Sequence, residues 1–254
     1  MIIVCYASAG FEGEIVNVEV DVRRSIPGID IVGLPDGAVR EARERVRVSI
    51  KNSGFRFPLE RVLVNLAPAG VRKEGAAFDL AIAAAILKTS YQFDVFPETN
   101  ETRVMVLGEL ELSGKIRPVS GVLPAVATAA ENGISIFIVP SENREEAASL
   151  MKGGVFGVAS LKEAAALIQH LCAGKKLQSP VMQPSLPEQR GTSIFPDFSD
   201  LKGQAAVKRA LEIAAAGSHH VFLFGPPGSG KTMAAQRFPG ILPPLEREES
   251  IAVT

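Results

Sequence analysis

A glycine-rich stretch that ends in a lysine and a threonine carries the strongest chemical signal in the sequence. It fits the pattern G-x-x-x-x-G-K-[ST] at every position, with the residues Gly225, Pro226, Pro227, Gly228, Ser229, Gly230, Lys231 and Thr232. The glycines let the backbone curl so that successive N–H groups point inward at phosphate oxygens. The lysine would reach the β- and γ-phosphates, and the threonine hydroxyl would ligate a bridging Mg²⁺. The spacing therefore predicts a loop that binds ATP with Mg²⁺.

The residues around this loop fit the setting that the pattern requires. The apolar run VFLF at 221–224 is typical of a buried strand, and residues 233–238 suit a helix. Residues 204–216, earlier in the chain, are predicted to form a helix with one apolar side. A strand, a glycine-rich turn and a helix in this order favour phosphate binding over a turn that binds nothing.

Length and composition limit the class of protein. The chain has 254 residues, of which 46% are hydrophobic, and a net charge of -1, so we expect a globular protein without a global charge excess for nucleic acid or membrane. Cys5 and Cys172 lack CxxC spacing and are expected to be free thiols in a reducing compartment. No signal peptide and no apolar run of roughly 18–20 residues is present, which predicts a cytoplasmic location. The histidines have no partners at ligand spacing, which argues against a metal site built by the protein alone.

The N-terminal two thirds alternate between strand and helix patterns without a strict βαβ rhythm. Strands are predicted at 1–6, 14–22, 29–32, 61–66, 104–110, 134–139 and 155–158, and helices at 36–52, 79–88, 122–132, 144–151 and 160–172. Asp36 is a predicted helix cap, and Ser160 with Glu163 forms a predicted capping box. The fold class is therefore α/β (α+β), with a mixed sheet and helices.

The helix at 36–52 is rich in basic residues. It carries Arg40, Arg43, Arg45, Arg47 and Lys51, interleaved with two glutamates. One interpretation is a solvated face that is held by i,i+4 ion pairs, and the other is a basic ridge that touches phosphates. The sequence leaves both interpretations open.

A change of composition divides the chain. From 173 to 196 it turns to Gly, Lys, Ser, Gln and Pro, and no hydrophobic period survives. This is typical of an exposed linker, so we expect one domain at 1–172, a linker at 173–196 and a second domain at 197–254.

The motifs of the two domains resemble one family. DLKGQ at 200–204, GSHH at 217–220, the phosphate loop and PGILPPL at 239–245 resemble the start of the AAA+ module of the magnesium-chelatase subunit I family. PGIDIVGLP at 27–35 and NLAPA at 65–69 resemble its ComM/YifB branch, whose N-terminal domain is similar to the proteolytic domain of Lon. The resemblance implies an AAA+ ATPase that, when intact, forms a ring and drives DNA branch migration in natural transformation.

The Lon-like segments depart from the family's protease chemistry. The resemblance aligns the nucleophilic serine of Lon with Ala77, in EGAAFD at 74–79, and its lysine base with Leu123, at the end of GELELSGKIRPVSGVL. Without a hydroxyl and an amine at these positions, acyl chemistry has no carrier. We therefore expect the fold of the protease domain without its proteolysis, and no catalytic residue is assigned.

The part of an AAA+ module that follows the phosphate loop is short here. Only 22 residues follow Thr232, and none forms an apolar strand that ends in Asp-Glu. We expect a shortened product or a fragment that lacks the Walker B strand, the sensor and the arginine finger, and that does not hydrolyse ATP alone. A chelatase-type chaperone acting on a partner protein and a non-catalytic binding module remain as alternatives, with a Lon-like peptidase that uses Ser113 or Ser120 as the least favoured.

Overall fold

The computed structural model describes residues 1–9, 12–90, 102–151, 154–175, 177, 196–245 and 249. Within them, the chain divides into two compact units, one made of residues before 185 and one within 185–250. Nearly all of the predicted linker at 173–196 lies outside the described residues. None of the described helices is long and apolar enough to cross a membrane.

The first unit is built around a sheet of seven described strands in the order β3-β4-β2-β1-β5-β8-β9, beside a small pair β6-β7. The strands are β1 (Ile2–Ala9), β2 (Glu12–Arg23), β3 (Gly28–Val32), β4 (Arg61–Ala67), β5 (Arg103–Val106), β6 (Glu109–Leu110), β7 (Ile116–Arg117), β8 (Ile136–Pro140) and β9 (Val155–Val158). In the large sheet β1 and β4 each pair antiparallel with β2, and the remaining described pairs are parallel. The predicted mixed sheet is confirmed.

The helices of this unit follow their sequence signals closely. They are α1 (Gly37–Asn52), α2 (Asp79–Thr89), α3 (Val122–Glu131), α4 (Arg144–Ala148) and α5 (Leu161–Cys172). Asp36 caps the start of α1, where its carboxylate accepts a hydrogen bond from the Val39 amide at 2.7 Å. Ser160 caps the start of α5, where its side chain accepts a hydrogen bond from the Glu163 amide. Helix α2 is buried from Asp79 to Leu87, so it forms the centre of the core.

The strand predicted at 104–110 is two strands. Gly108 interrupts it, and its backbone turns away to pair with a neighbouring loop: its amide donates to Ala77 O at 3.0 Å, and its carbonyl accepts from the Leu80 amide. Strand β5 stays in the large sheet, whereas β6 pairs with β7. This turn brings the segment after Gly108 next to the loop that precedes α2.

The second unit contains α6 (Ala205–Ala216) and α7 (Lys231–Arg237) around a small core of Leu201, Leu211 and Ala234. The prediction of a strand at 221–224 is wrong. This segment forms no strand, and Phe222 and Phe224 are 88% and 91% exposed. A strand needs a hydrogen-bonded neighbour, and the described residues of this unit provide none.

Candidate functional site

The predicted phosphate loop lies between residue 224 and the start of α7. Two of its glycines, Gly228 and Gly230, have φ of 80° and 82°, in the left-handed region that favours glycine. Gly230 is the N-cap residue of α7, so Lys231 and Thr232 occupy the first positions of the helix. The glycines thus provide the backbone curl that the motif requires.

Within the described residues, most amide groups of the loop have no acceptor, and the exception is Ser229 N, which donates to Pro226 O at 3.4 Å. Among the described residues, no acceptor receives a hydrogen bond from the amides of Gly228, Gly230, Lys231 or Thr232. The first amides of a helix have no intrahelical acceptor and carry partial positive charge. Four free donors on one tight turn form a site suited to an anion.

The Lys231 ammonium lies against the loop's own oxygens. It donates to Gly225 O at 2.8 Å, to Pro226 O at 2.7 Å and to Ser229 Oγ at 3.3 Å. These are neutral acceptors, and no carboxylate of the described residues lies within ion-pair distance of this lysine. Within the part of the chain that the structure describes, the positive charge is therefore held over the loop without a counter-charge, which a phosphate would supply.

Two residues that sequence reasoning did not assign to the site support the loop. Gln204 Nε2 donates to Ser229 O at 2.8 Å, which ties the loop to the start of α6. At the other end of α7, Arg237 pairs with Asp200 at 3.2 Å. Gln204 belongs to the DLKGQ motif, so its place in that motif was visible, but its contact across 25 positions of sequence was not.

The residues present fit a nucleotide with Mg²⁺. Thr232 is exposed, and its hydroxyl makes no hydrogen bond with the described residues. An oxygen ligand from the loop, with phosphate oxygens, is the donor set that Mg²⁺ prefers. The described residues contain no cluster of three His, Cys, Asp or Glu side chains that could hold a metal by itself. Pro226 and Pro227 are exposed and contribute backbone shape rather than donors.

A second candidate site lies in the first unit, beside the aligned position of the Lon serine. Ala77 lines a cavity of about 320 Å³ together with Tyr6, Ser8, Glu109 and Ser120. Neither lysine nor histidine lines this cavity among the described residues. Its serines therefore have no amine or imidazole base among the described residues, and acyl transfer requires such a base.

The other groups that could carry acyl chemistry here are also unsuited to it. Ser113 lies outside the cavity lining and donates to Glu111 at 3.1 Å. The Cys5 thiol is buried beneath the loop, 3.8 Å from Ala77 O, and burial raises its pKa to about 12. The thiol therefore stays protonated and unreactive at neutral pH. The absence of proteolysis remains a prediction.

Two family models match the chain. The model described as "Subunit ChlI of Mg-chelatase" matches residues 18–143, and the model described as "Magnesium chelatase, subunit ChlI" matches residues 197–254. The second match includes the whole phosphate loop, and the first includes the Ala77 cavity's loop and β6.

Curated relatives match almost the whole chain. An uncharacterized protein of Mycobacterium tuberculosis is 41% identical over 98% of this chain and 47% of its own length. YifB of Escherichia coli is 37% identical over 96% of the chain and 46% of its own length, and the competence protein ComM of Haemophilus influenzae is 38% identical over 96% and 47%. The chain thus spans about half the length of the curated relatives it matches. Lon protease 2 of Bacillus subtilis is 27% identical over 40% of the chain, so the likeness to Lon covers only part of it.

Proposed function

Because the chain belongs to the ComM/YifB family of magnesium-chelatase-like proteins, we propose that it is an AAA+ protein whose loop at 225–232 binds ATP with Mg²⁺. One observation carries the proposal: among the described residues, the Lys231 ammonium has no carboxylate partner, and four of the five amides from Gly228 to Thr232 have no acceptor. A triphosphate supplies both the missing negative charge and the missing acceptors.

The second half of the loop supplies the groups that bind the phosphates and Mg²⁺. The amides of Gly228, Gly230, Lys231 and Thr232 hold phosphate oxygens, and Lys231 exchanges its carbonyl acceptors for the β- and γ-phosphates. Thr232 contributes a hydroxyl ligand to Mg²⁺, which when bound neutralises phosphate charge. Gln204 holds the loop in this shape through Ser229 O.

The activity of the whole protein is a further step of the proposal. The matched relative ComM is named a competence protein, and the chain covers 47% of it. We propose that the intact protein assembles as a ring and uses ATP to move along DNA during branch migration in natural transformation. The first unit then serves as a Lon-like module without proteolysis.

A second candidate keeps the nucleotide and changes the client. Both family models are named for a subunit of magnesium chelatase, which favours a chaperone-like motor that remodels a partner protein. The ATP turnover of a full-length relative separates the two: stimulation by DNA supports the first candidate, and stimulation by a partner protein supports the second.

Lysine removal tests the nucleotide site. Lys231→Ala is expected to abolish ATP binding in Mg²⁺ buffer, measured by titration calorimetry on the purified chain, because it removes the only charge-assisted donor of the loop. Lys202→Ala is the matched control, since Lys202 is an exposed lysine of the same unit outside the loop. Undiminished ATP affinity in Lys231→Ala would contradict the proposal.

A further inference from the structure

The exposed side of α1 carries cations that no described residue neutralises. Arg40, Arg43, Arg47 and Lys51 are all exposed, and none has a carboxylate within 4.0 Å among the described residues. The i,i+4 ion pairs that one reading of the sequence expected are therefore not formed. The remaining cation of the helix, Arg45, faces away from them and pairs with buried Asp79.

These four cations form one row. Their spacing of three or four residues places them on one side of the helix, next to the buried positions that pack on the sheet. From Arg40 to Lys51 the row extends about 16 Å along the helix axis. The whole chain has a net charge of -1, so the row is a local concentration of positive charge rather than part of a general excess of basic residues.

The row borders a groove between α1 and β3, the edge strand of the large sheet. One cavity, of about 340 Å³, lies between Arg40, Arg43 and residues 30–32. A second, of about 50 Å³, lies between Arg47, Lys51 and residues 27–29. The two cavities follow each other along β3, and each has two cations of the row on its wall.

The other walls of the groove suit a phosphate chain. Asp30 is the one acidic side chain that lines either cavity within the described residues, and Arg61 neutralises it at 2.7 Å. Glu41 and Glu44 belong to α1 but line neither cavity. The Arg47 guanidinium lies 5.9 Å from the Phe57 ring centroid, and Leu59 beside it is 83% exposed. A basic groove with exposed apolar surface at one end is the combination that holds a nucleic-acid backbone and its bases.

We propose that the groove between α1 and β3, with the row Arg40, Arg43, Arg47 and Lys51, binds the phosphate backbone of nucleic acid. The site belongs to the first unit, whereas the nucleotide loop belongs to the second, and it rests on the proposed function only in taking nucleic acid as the ligand. An acidic protein is the competing occupant. The elongated shape and the arginine-rich row favour a phosphate chain, because guanidinium groups bind phosphate through paired hydrogen bonds.

The test is binding of the purified chain to fluorescein-labelled oligothymidylate, to a duplex and to polyglutamate, followed by anisotropy at several salt concentrations without nucleotide. The variant Arg40→Gln, Arg43→Gln, Lys51→Gln leaves the Arg47–Phe57 contact in place. It is expected to reduce the slope of log K against log salt by about 2, at about 0.7 for each lost contact to a single strand. The matched control removes three exposed cations outside the groove, Lys115→Gln, Lys162→Gln and Lys202→Gln, and is expected to keep the wild-type slope.

Each outcome decides the proposal. The proposal is supported if the salt slope falls in the groove variant and stays at the wild-type value in the control. It is also supported if the variant Arg40→Lys, Arg43→Lys, which keeps the charges, has the wild-type slope. An unchanged slope in the groove variant, tighter binding of polyglutamate than of either nucleic acid, or no binding by the wild-type chain would overturn it. Lys231→Ala is expected to bind nucleic acid normally, so failure at the nucleotide loop and failure at the groove are distinguishable.

Discussion

At the scale of single residues, the ion pair of Arg45 and Asp79 holds a carboxylate inside the core of the first unit. Asp79 is fully buried and accepts from Arg45 Nε at 2.8 Å, from Arg45 Nη2 at 3.0 Å and from the Leu110 amide at 3.3 Å. Arg45→Leu leaves a buried carboxylate without a counter-charge, so we expect it to lower the free energy of unfolding by about 3–5 kcal/mol. Urea unfolding followed by circular dichroism measures this loss.

The pH dependence of that variant follows from the pKa of Asp79. Burial raises this pKa, and the hydrogen bonds from Arg45 oppose the rise, so removing Arg45 raises it further. A carboxyl whose pKa is raised on folding contributes stability below its unfolded pKa and loses that contribution as the pH rises through the folded value. The deficit of Arg45→Leu is therefore expected to be larger at pH 8 than at pH 5. Arg45→Leu with Asp79→Leu should recover most of the stability at both pH values, and a deficit equal at both would contradict this account.

The left-handed backbone of Gly230 provides a test of the nucleotide loop that changes no charge. Alanine at φ 82° costs about 1–2 kcal/mol, so we expect Gly230→Ala to weaken ATP binding by about tenfold in titration calorimetry. A Cβ at this position would lie 3.6 Å from Gln204 Nε2, which is an ordinary contact, so the loss would come from the backbone. Gly230→Asn is the matched control because asparagine tolerates this conformation better. Equal losses in both variants would point to a steric cause instead.

At the scale of elements, the N-cap residues of α1 and α5 differ in the number of backbone amides that donate to them. The Asp36 carboxylate accepts from Val39 N at 2.7 Å and also from Gly75 N at 3.3 Å, in a loop on the wall of the Ala77 cavity. Ser160 accepts from Glu163 N at 3.4 Å. We expect Asp36→Ala to cost about 1–2 kcal/mol, or several degrees in Tm, and Ser160→Ala to cost less. Thermal unfolding measures both, and a larger loss for Ser160→Ala would show that the second contact of Asp36 contributes nothing.

The helices were predictable from the sequence because their signals are local. Asp36, the apolar spacing from Val39 to Ile50 and Ser160 each act within one or two turns of a helix. The local signal of a strand is incomplete, because a strand also needs a hydrogen-bonded neighbouring strand. The run at 221–224 has the composition of a strand, yet it forms none within the described residues, and the run at 104–110 was divided by Gly108 through contacts with Ala77 and Leu80.

The candidate site shows the same limit. The motif gave the residues of the phosphate loop and the glycines that need a left-handed backbone, because the chemistry depends on consecutive positions. It did not give Gln204 as the tether, since that contact joins two elements. Nor could the sequence choose between a paired and an unpaired basic face on α1, because both use the same residues and differ only in side-chain geometry.

At the scale of the whole molecule, the order of the large sheet could not be read from the sequence. Strand β1 lies between β2 and β5, and β3 lies at the edge although it follows β2 in the chain. These pairings join segments up to about 100 residues apart, such as Ile2 with Arg103. Periodicity shows which face of a strand is apolar, but it does not show which strand lies beside it. The class of fold could therefore be predicted from the sequence, whereas the order of the strands could not.

The division of the chain into domains is the prediction that remains to be tested at this scale. The core of the first unit is built from residues between Met1 and Ile168, and the small core of the second unit from residues between Leu201 and Ala234. No buried residue belongs to both cores within the described part of the chain. If 173–196 is an exposed linker, dilute trypsin should cleave first at Lys175, Lys176 or Arg190 and release the two units.

The larger fragment is then expected to keep the unfolding midpoint in urea of the first unit in the whole chain, because all the described residues of its core lie within that fragment. The smaller fragment has few buried apolar side chains, so it should unfold at a much lower urea concentration. ATP added with Mg²⁺ should protect only the smaller fragment, since a ligand stabilises the unit that binds it. First cleavage inside residues 1–172, or a marked loss of stability in the larger fragment, would mean that the domain boundary was placed wrongly.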